Sequence, residues 1–158
     1  MGDTFTLRVV GDGPVADAIV AMTPPLGWDV TVTADDTTVP HGLDALVVTS
    51  HHDGVDGPAI RAALAARTAY IGAMGSRRTQ ARRREWLLAH GVDEVELGRV
   101  RAPIGLDIGA DSPAEIAVSI LAEVVASRAG RTEVGSVADR DGAIHPDLAP
   151  GEATCPGG

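Results

Sequence analysis

The chain has 158 residues, of which 44% are hydrophobic and only 3% aromatic, and its formal net charge at pH 7 is −9. This length is sufficient for one domain with a single core, which Val, Ile, Leu and Ala must fill. The negative charge argues against nucleic acid as the main partner, because duplex binding usually requires a basic surface.

The number of cysteines and the hydropathy of the chain predict its cellular compartment. A single cysteine, Cys155, excludes an internal disulfide framework and is compatible with a reducing environment. The first residues lack the basic and apolar segments of a signal peptide, and no apolar run approaches the roughly 20 residues that span a bilayer. We therefore expect a soluble, cytoplasmic protein with no membrane partner.

Strand-like and helix-like segments alternate in chain order. Apolar or alternating runs predict strands, and stretches of helical periodicity between them predict helices. The predicted strands cover residues 7–10, 28–36, 43–50, 69–75 and 102–110, and the predicted helices cover residues 14–22, 58–66, 76–90 and 113–129. This alternation predicts a doubly wound, Rossmann-like α/β fold with a parallel sheet in strand order 3-2-1-4-5 and a ligand crevice between the first and fourth strands.

The last predicted helix is the most clearly marked. Ser112 is a candidate N-cap, Pro113 suits the first helical position, Glu115 completes a capping box, and Gly130 ends the helix. We place the Rossmann-like domain at residues 1–130. The remaining residues, 131–158, lose periodicity and predict a flexible tail, with one weakly packed piece near residues 134–144. Removing about the last fifteen residues is expected to leave the melting temperature nearly unchanged.

A glycine-rich turn follows the first strand. Gly11-x-Gly13-x-x-Ala16 opens the first helix, where a tight turn and free N–H groups can receive a pyrophosphate. Asp35 and Asp36 end the second strand, where a carboxylate can bind a ribose hydroxyl. The alternative is a turn that binds nothing, and Pro14 favours it by removing one N–H donor.

Polar side chains also follow the third strand. Ser50 and His51, with His52 and Asp53 after them, lie on the ligand side of the predicted sheet. Adjacent histidines point in opposite directions in an extended segment, and no third ligand is suitably spaced, so we expect no metal site. The sequence leaves two interpretations open: a turn that caps the next helix, or a single histidine, His51, that reaches the crevice.

An arginine-rich segment follows the fourth strand. Gly75 and Ser76 form the turn, and Arg77 and Arg78 begin the next helix, where they can bind an anion through charge-assisted contacts. Residues 82–84 are all arginine and are interpreted as a solvated helix face. Substituting Arg83 is therefore expected to have little effect.

Two longer strings carry a family resemblance. They are "VVTSHHDGVDGPAIRAALAARTAYIGAMGSRRTQ" and "APIGLDIGADSPAEIAVSILAEVVASR". Over about residues 7–130 the chain resembles the Rossmann-like domain of the XdhC/CoxI family, the accessory factors of xanthine dehydrogenase and related molybdenum hydroxylases. The family's glycine turn usually reads GAGHV, whereas this chain has GDGPV, and Ser50-His51 stands where the family has Thr-His.

The resemblance implies an accessory role, not catalysis by this chain. Such a protein would bind the molybdenum cofactor, as molybdopterin or a dinucleotide form of it, assist its sulfuration and deliver it to the apo-enzyme. The implied partners are a molybdenum hydroxylase apo-enzyme or another accessory subunit, with a homodimer left open. Two alternatives remain: an NAD(P)-dependent oxidoreductase, and a partner-binding module that has lost its ligand. The residues expected to hold the cofactor are Gly11, Gly13, Asp35, Ser50, His51, Gly75, Ser76 and Arg77.

Overall fold

The secondary structure alternates between strands and helices. The computed structural model describes residues 2–142 and 144. In chain order its elements are β1 (Thr6–Val10), α1 (Pro14–Met22), β2 (Asp29–Thr33), β3 (Ala45–Val48), α2 (Asp53–Ala65), β4 (Tyr70–Ala73), α3 (Arg77–Ala89), α4 (Glu94–Leu97), β5 (Val100–Arg101) and α5 (Pro113–Arg128). Short 3₁₀ helices cover Pro24–Leu26 and Val137–Asp139.

The sheet is parallel throughout, with strand order β2-β1-β3-β4-β5. The predicted doubly wound α/β fold is confirmed, but the predicted order 3-2-1-4-5 is wrong. All four residues of β3 are buried, as a strand with neighbours on both sides requires. Most of β2 alternates between half-buried and exposed residues, which suits an edge strand. The central position therefore belongs to β3.

Apolar side chains form a core on each face of the sheet. Leu46 and Val48 of β3 face α2 and α3, whereas Ala45 and Val47 face α1 and α5. This is the alternation that a pleated strand imposes. Within the described residues, no helix is both long enough and apolar enough to cross a bilayer.

Most helix boundaries follow local sequence signals. Pro14 begins α1 as predicted. The Ser76 side chain caps α3, and Ser112 and Glu115 form the predicted capping box of α5. The prediction for α2 is wrong at its start, because the helix begins at Asp53 and contains Pro58.

The predicted fifth strand is also misplaced. The structure has β5 at Val100–Arg101, and residues 102–110 form a loop in place of a strand. Pro103 cannot donate to a strand ladder, and Gly105 and Gly109 have φ angles of 104° and 73°. These residues interrupt extended pairing.

The chain after α5 is only partly described. Residues 131–142 are exposed, so the expected packed piece near residues 134–144 is not present in the described part of that segment. Residues 143 and 145–158, with Cys155, lie outside the described residues. The prediction about removing the last fifteen residues concerns that part of the chain and stays a prediction.

A buried ion pair connects α2, α3 and the sheet. The side chains of Arg83 and Asp56 are 4% and 0% exposed, and Arg83 donates to Asp56 Oδ2 from Nη2 at 2.7 Å and from Nε at 3.1 Å. Nη2 also donates to the carbonyl of Ser50 at 3.0 Å, and Nη1 donates to the carbonyl of Met74. The prediction that Arg83 lies on a solvated face is wrong. Its neighbours Arg82 and Arg84 are exposed, as predicted.

A second, partly buried contact fixes α5 and the loop after β5. The Tyr70 hydroxyl of β4 donates to Glu123 of α5 at 2.7 Å, and the Gly105 amide donates to the same carboxylate oxygen at 3.3 Å. Burial, followed by the hydrogen bond and the charge of Glu123, raises the pKa of Tyr70 far above its ordinary value of 10.0.

We predict that Arg83→Met destabilises the fold by about 3–5 kcal/mol, because Asp56 is left as an unpaired buried charge. Adding Asp56→Leu should recover part of the loss, since two apolar groups need no ion partner. Urea unfolding of the purified variants measures both effects. Arg84→Met is the matched control: its pair with Glu94 is about half exposed, so a change of at most about 1 kcal/mol is expected. A loss for Arg83→Met no larger than for Arg84→Met would contradict this prediction.

Tyr70 is the single tyrosine of the chain, so its ionisation can be followed by ultraviolet absorbance. In the native protein we expect no tyrosinate signal as the pH rises through 10, whereas the urea-unfolded chain should titrate near 10. Because the raised pKa belongs to the folded state, the unfolded state loses its proton first, and the free energy of unfolding should fall as the pH rises above 10. Glu123→Gln removes the charge and should lower the native pKa. A native inflection near pH 10 would refute the prediction.

Candidate functional site

The register of the sheet aligns the turns that follow four strands. Val10 pairs with Thr33 on one side and with Val48 on the other, and Val48 pairs with Ala73. The next residue of each strand therefore belongs to one row along the carboxyl edge, in the order Ala34, Gly11, Thr49, Met74. Ligands of open α/β sheets bind at this edge.

Gly11 belongs to this row, and Gly75 directly follows Met74, so both glycines are at the same edge, as predicted, but β3 separates β1 from β4. The predicted crevice between the first and fourth strands therefore cannot exist. The chain connects β1 to β2 on one side and then crosses to β3 on the other, so the topological switch point is at β1 and β3.

A cavity of about 250 Å³ lies beside this switch point, and we call it the edge crevice. It brings together four of the predicted site residues, Gly11, Asp35, Ser50 and His51, with Asp12 and Val55 also lining it. Gly13, Gly75, Ser76 and Arg77 do not line this cavity.

Gly11 makes the close approach between β1 and the turn after β3. Its φ is 128°, and a Cβ added there would lie 2.4 Å from Thr49 Oγ1 and 2.5 Å from the Ser50 amide nitrogen. Any larger side chain would force these two turns apart, so this position requires glycine. Gly13 has a φ of 101° but open space around it, so only its backbone conformation favours glycine.

The edge crevice has an acidic rim. Asp12 and Asp35 are exposed there, and Asp17 lies in the first turn of α1. A phosphate at the glycine turn would meet these carboxylates and would lack an N–H donor at Pro14. Hydroxyl groups, which can donate to carboxylates, suit this rim better.

Asp36 has a local role. Its Oδ1 accepts hydrogen bonds from the Thr38 amide at 2.8 Å and from the Thr38 hydroxyl at 2.7 Å. These bonds, with a smaller contribution from the charge of Arg8, lower the pKa of Asp36. Asp36 therefore stabilises the turn after β2, whereas Asp35 lines the crevice.

Ser50 and His51 differ in how they can meet a ligand. Ser50 is 5% exposed, and its Oγ accepts a hydrogen bond from the His52 amide at 3.1 Å. Its main role is to shape the turn. His51 is exposed on the crevice wall. In the described part of the chain no group of three metal-ligating side chains comes together.

The start of α3 carries unpaired positive charge. Ser76 Oγ accepts a hydrogen bond from the Thr79 amide at 3.2 Å, so this side chain serves the helix cap. Arg77 and Arg78 are exposed, and neither makes an ion pair or a side-chain hydrogen bond with any described residue. Two free guanidinium groups at the positive end of a helix form an anion-attracting surface.

A second cavity, of about 280 Å³, lies on the other side of Met74 and Gly75. The loop of residues 103–110 and the first turns of α5 complete it, so we call it the loop cavity. Arg83 contacts the walls of both cavities, because its guanidinium binds the carbonyls of Ser50 and Met74.

Three parts of the site, Asp56, Arg83 and this loop, are not predicted as site residues: the sequence pattern assigns Arg83 to a solvated face and the loop to a strand. A periodic signal is present for Arg83, since it lies four residues before the buried Leu87 and therefore on the same face of α3. The loop carries no such signal, because its apolar residues have the pattern of a strand.

Known proteins match most of the described fold. Residues 7–124 match the family described as the XdhC Rossmann domain. The chain is 38% identical over 89 residues to a probable xanthine dehydrogenase subunit of Bacillus subtilis and 34% identical over 89 residues to the molybdenum cofactor insertion chaperone PaoD of Escherichia coli. An uncharacterized protein of E. coli, YqeB, is 42% identical over 57 residues.

These matches cover only part of each relative. They include 56% of this chain but 24% of the B. subtilis protein and 28% of PaoD, and the YqeB match covers 36% of this chain and 10% of YqeB. A solved xanthine dehydrogenase structure from Bacillus halodurans aligns with a TM-score of 0.66 at 22% identity, over 86% of this chain and 46% of that one. It supports the fold alone. With three quarters of its length matching the domain, the chain belongs to the XdhC family.

Proposed function

We propose that this chain is a non-catalytic accessory protein for the maturation of molybdenum hydroxylases, acting in the cytoplasm. It would hold the molybdenum cofactor, as molybdopterin or a dinucleotide form, and transfer it to an apo-enzyme or to another accessory subunit. Membership of the XdhC family and the similarity to PaoD support the accessory role.

The observation that carries cofactor binding is the arrangement of charges along the carboxyl edge. Carboxylates line the edge crevice, whereas unpaired guanidinium groups stand at the start of α3. A ligand with both hydroxyl and phosphate groups can satisfy both regions. This combination of carboxylate acceptors and guanidinium donors fits a phosphorylated pterin or a pterin nucleotide.

Four of the predicted residues, Arg77, Asp35, Gly11 and His51, then have separate roles. Arg77 and the α3 amide groups would receive a phosphate, and Asp35 would accept hydrogen bonds from ribose hydroxyls. Gly11 allows β1 and the turn after β3 to approach closely at the crevice wall. His51 would orient the ligand from its exposed position. The redox chemistry of the cofactor belongs to the enzyme that receives it.

The binding test compares two arginines of one helix. Arg77→Ala is expected to weaken the binding of cytidine diphosphate by tenfold or more, because a charge-assisted hydrogen bond contributes about 1.5–3 kcal/mol. Arg84→Ala should change the affinity less than twofold, since Arg84 lies further along α3 and pairs with Glu94 of α4. Isothermal titration calorimetry measures both. Equal losses in the two variants would indicate a diffuse electrostatic field and contradict a specific anion site.

A thermal-shift screen separates the proposed function from its alternatives. The screen uses cytidine and guanosine nucleotides, AMP, NAD and NADP. Stabilisation by NAD or NADP alone would favour the oxidoreductase, and no stabilisation by any of them would favour a binding module without a ligand. Transfer is tested by incubating the chain with released molybdenum cofactor and an apo molybdenum hydroxylase. Reconstitution no faster than without the chain would refute the accessory role.

A further inference from the structure

The loop cavity is a preformed space held by contacts to two elements. The Ile104 amide donates to the carbonyl of Ala73 in β4 at 3.1 Å, and the Leu106 amide donates to the carbonyl of Ser119 in α5 at 3.2 Å. Gly105 packs so closely that an added Cβ would lie 2.5 Å from Ser119 Oγ. The loop is therefore anchored on both sides of the cavity.

Its lining combines an apolar floor with a polar rim. Met74, Ile104 and Ile116 form the floor. On the rim, the amides of Gly109 and Ala110 donate no hydrogen bond to any described residue, and the exposed carboxylate of Asp107 stands beside them. Apolar contact for ring faces with a few placed polar groups for ring edges is the usual composition of a small-molecule site.

The rim chemistry limits the ligand class. No cationic side chain of the described residues lines the cavity, and Asp107 would repel a phosphate, so an anionic group is a poor occupant. A carboxylate can accept two parallel hydrogen bonds from a ring edge that carries adjacent amino and imino N–H groups. Pterin and guanine have such an edge. Adenine and cytosine do not, because the ring nitrogen beside their amino group is an acceptor.

We propose that the loop cavity is a binding subsite for a planar 2-amino-4-oxo heterocycle, with Asp107 accepting from its amino–imino edge and the Gly109 and Ala110 amides donating to its acceptors. The subsite is separate from the edge crevice. Its assignment rests on the proposed function in one respect, namely that the chain carries a pterin cofactor. A phosphate attached to this heterocycle could extend past Gly75 towards Arg77.

Two alanines provide matched variants that fill one cavity each. Ala110 lines the loop cavity and Ala34 lines the edge crevice. Ala110→Phe is expected to weaken the binding of free pterin at least tenfold, measured by quenching of pterin fluorescence, whereas Ala34→Phe should change it less than twofold. Asp107→Asn, a conservative change at an exposed position, should also weaken pterin binding at least tenfold. Melting temperatures of the three variants verify that each is folded.

Comparing the affinity for pterin with the affinities for guanosine, adenosine and cytidine shows which ring supplies the amino–imino edge that the cavity recognises. Tighter binding of pterin than of guanosine assigns the subsite to a pterin ring, and the reverse assigns it to the base of a nucleotide. Failure of wild-type protein to bind either compound, equal binding of adenosine, or unchanged pterin binding in Ala110→Phe would each overturn the inference. Cytidine diphosphate binding that depends on Arg77 would still support the proposed function in those cases, so the two failures are distinguishable.

Discussion

The Arg83–Asp56 ion pair is the contact on which the geometry of the carboxyl edge depends. Taking both charges out of water is costly, and such pairs often add little net stability. Here the guanidinium also satisfies the carbonyls of Ser50 and Met74, where the ladders of β3 and β4 end. Asp56 lies in the first turn of α2, where the helix end favours a negative charge. One side chain thus fixes the relative position of two turns that belong to different cavities.

Much of the fold can be predicted from local signals. Apolar or alternating runs locate β1 to β4, Pro14 marks the start of α1, and capping serines mark the starts of α3 and α5. Strand order requires a comparison between strands: the fully apolar β3 needs two neighbours, and the half-polar β2 can tolerate one. That comparison is available in the sequence. The loop at residues 102–110 is harder to predict, because its apolar residues have the pattern of a strand. The positive φ angles of Gly105 and Gly109, which interrupt a strand, are visible only in the structure.

The site is predictable in its residues more than in its arrangement. Gly11, Asp35, Ser50 and His51 are predicted separately from the ends of three strands, and the sheet brings them to one cavity. Of the second set, Gly75, Ser76 and Arg77, only Gly75 lines the loop cavity, and the position of the loop after β5 creates that cavity. The burial of Arg83 cannot follow from composition, because an arginine in a run of arginines is usually solvated. Its partner is 27 residues earlier in the chain.

The carboxyl edge of the sheet is assembled from segments that are far apart in the chain. Its contacts can therefore form only in a certain order during synthesis. The hydrogen bond to the Ser50 carbonyl requires Arg83, which follows 33 residues later, and the hydrogen bond of Tyr70 requires Glu123, which follows 53 residues later. The residues that line the edge crevice, and the Arg83 that binds its wall, precede α5 in the chain, whereas the loop cavity includes Ile116 and Ser119 of α5 itself. Closing such long loops costs entropy before any contact is gained. A cofactor that needs both cavities would thus bind only the finished domain.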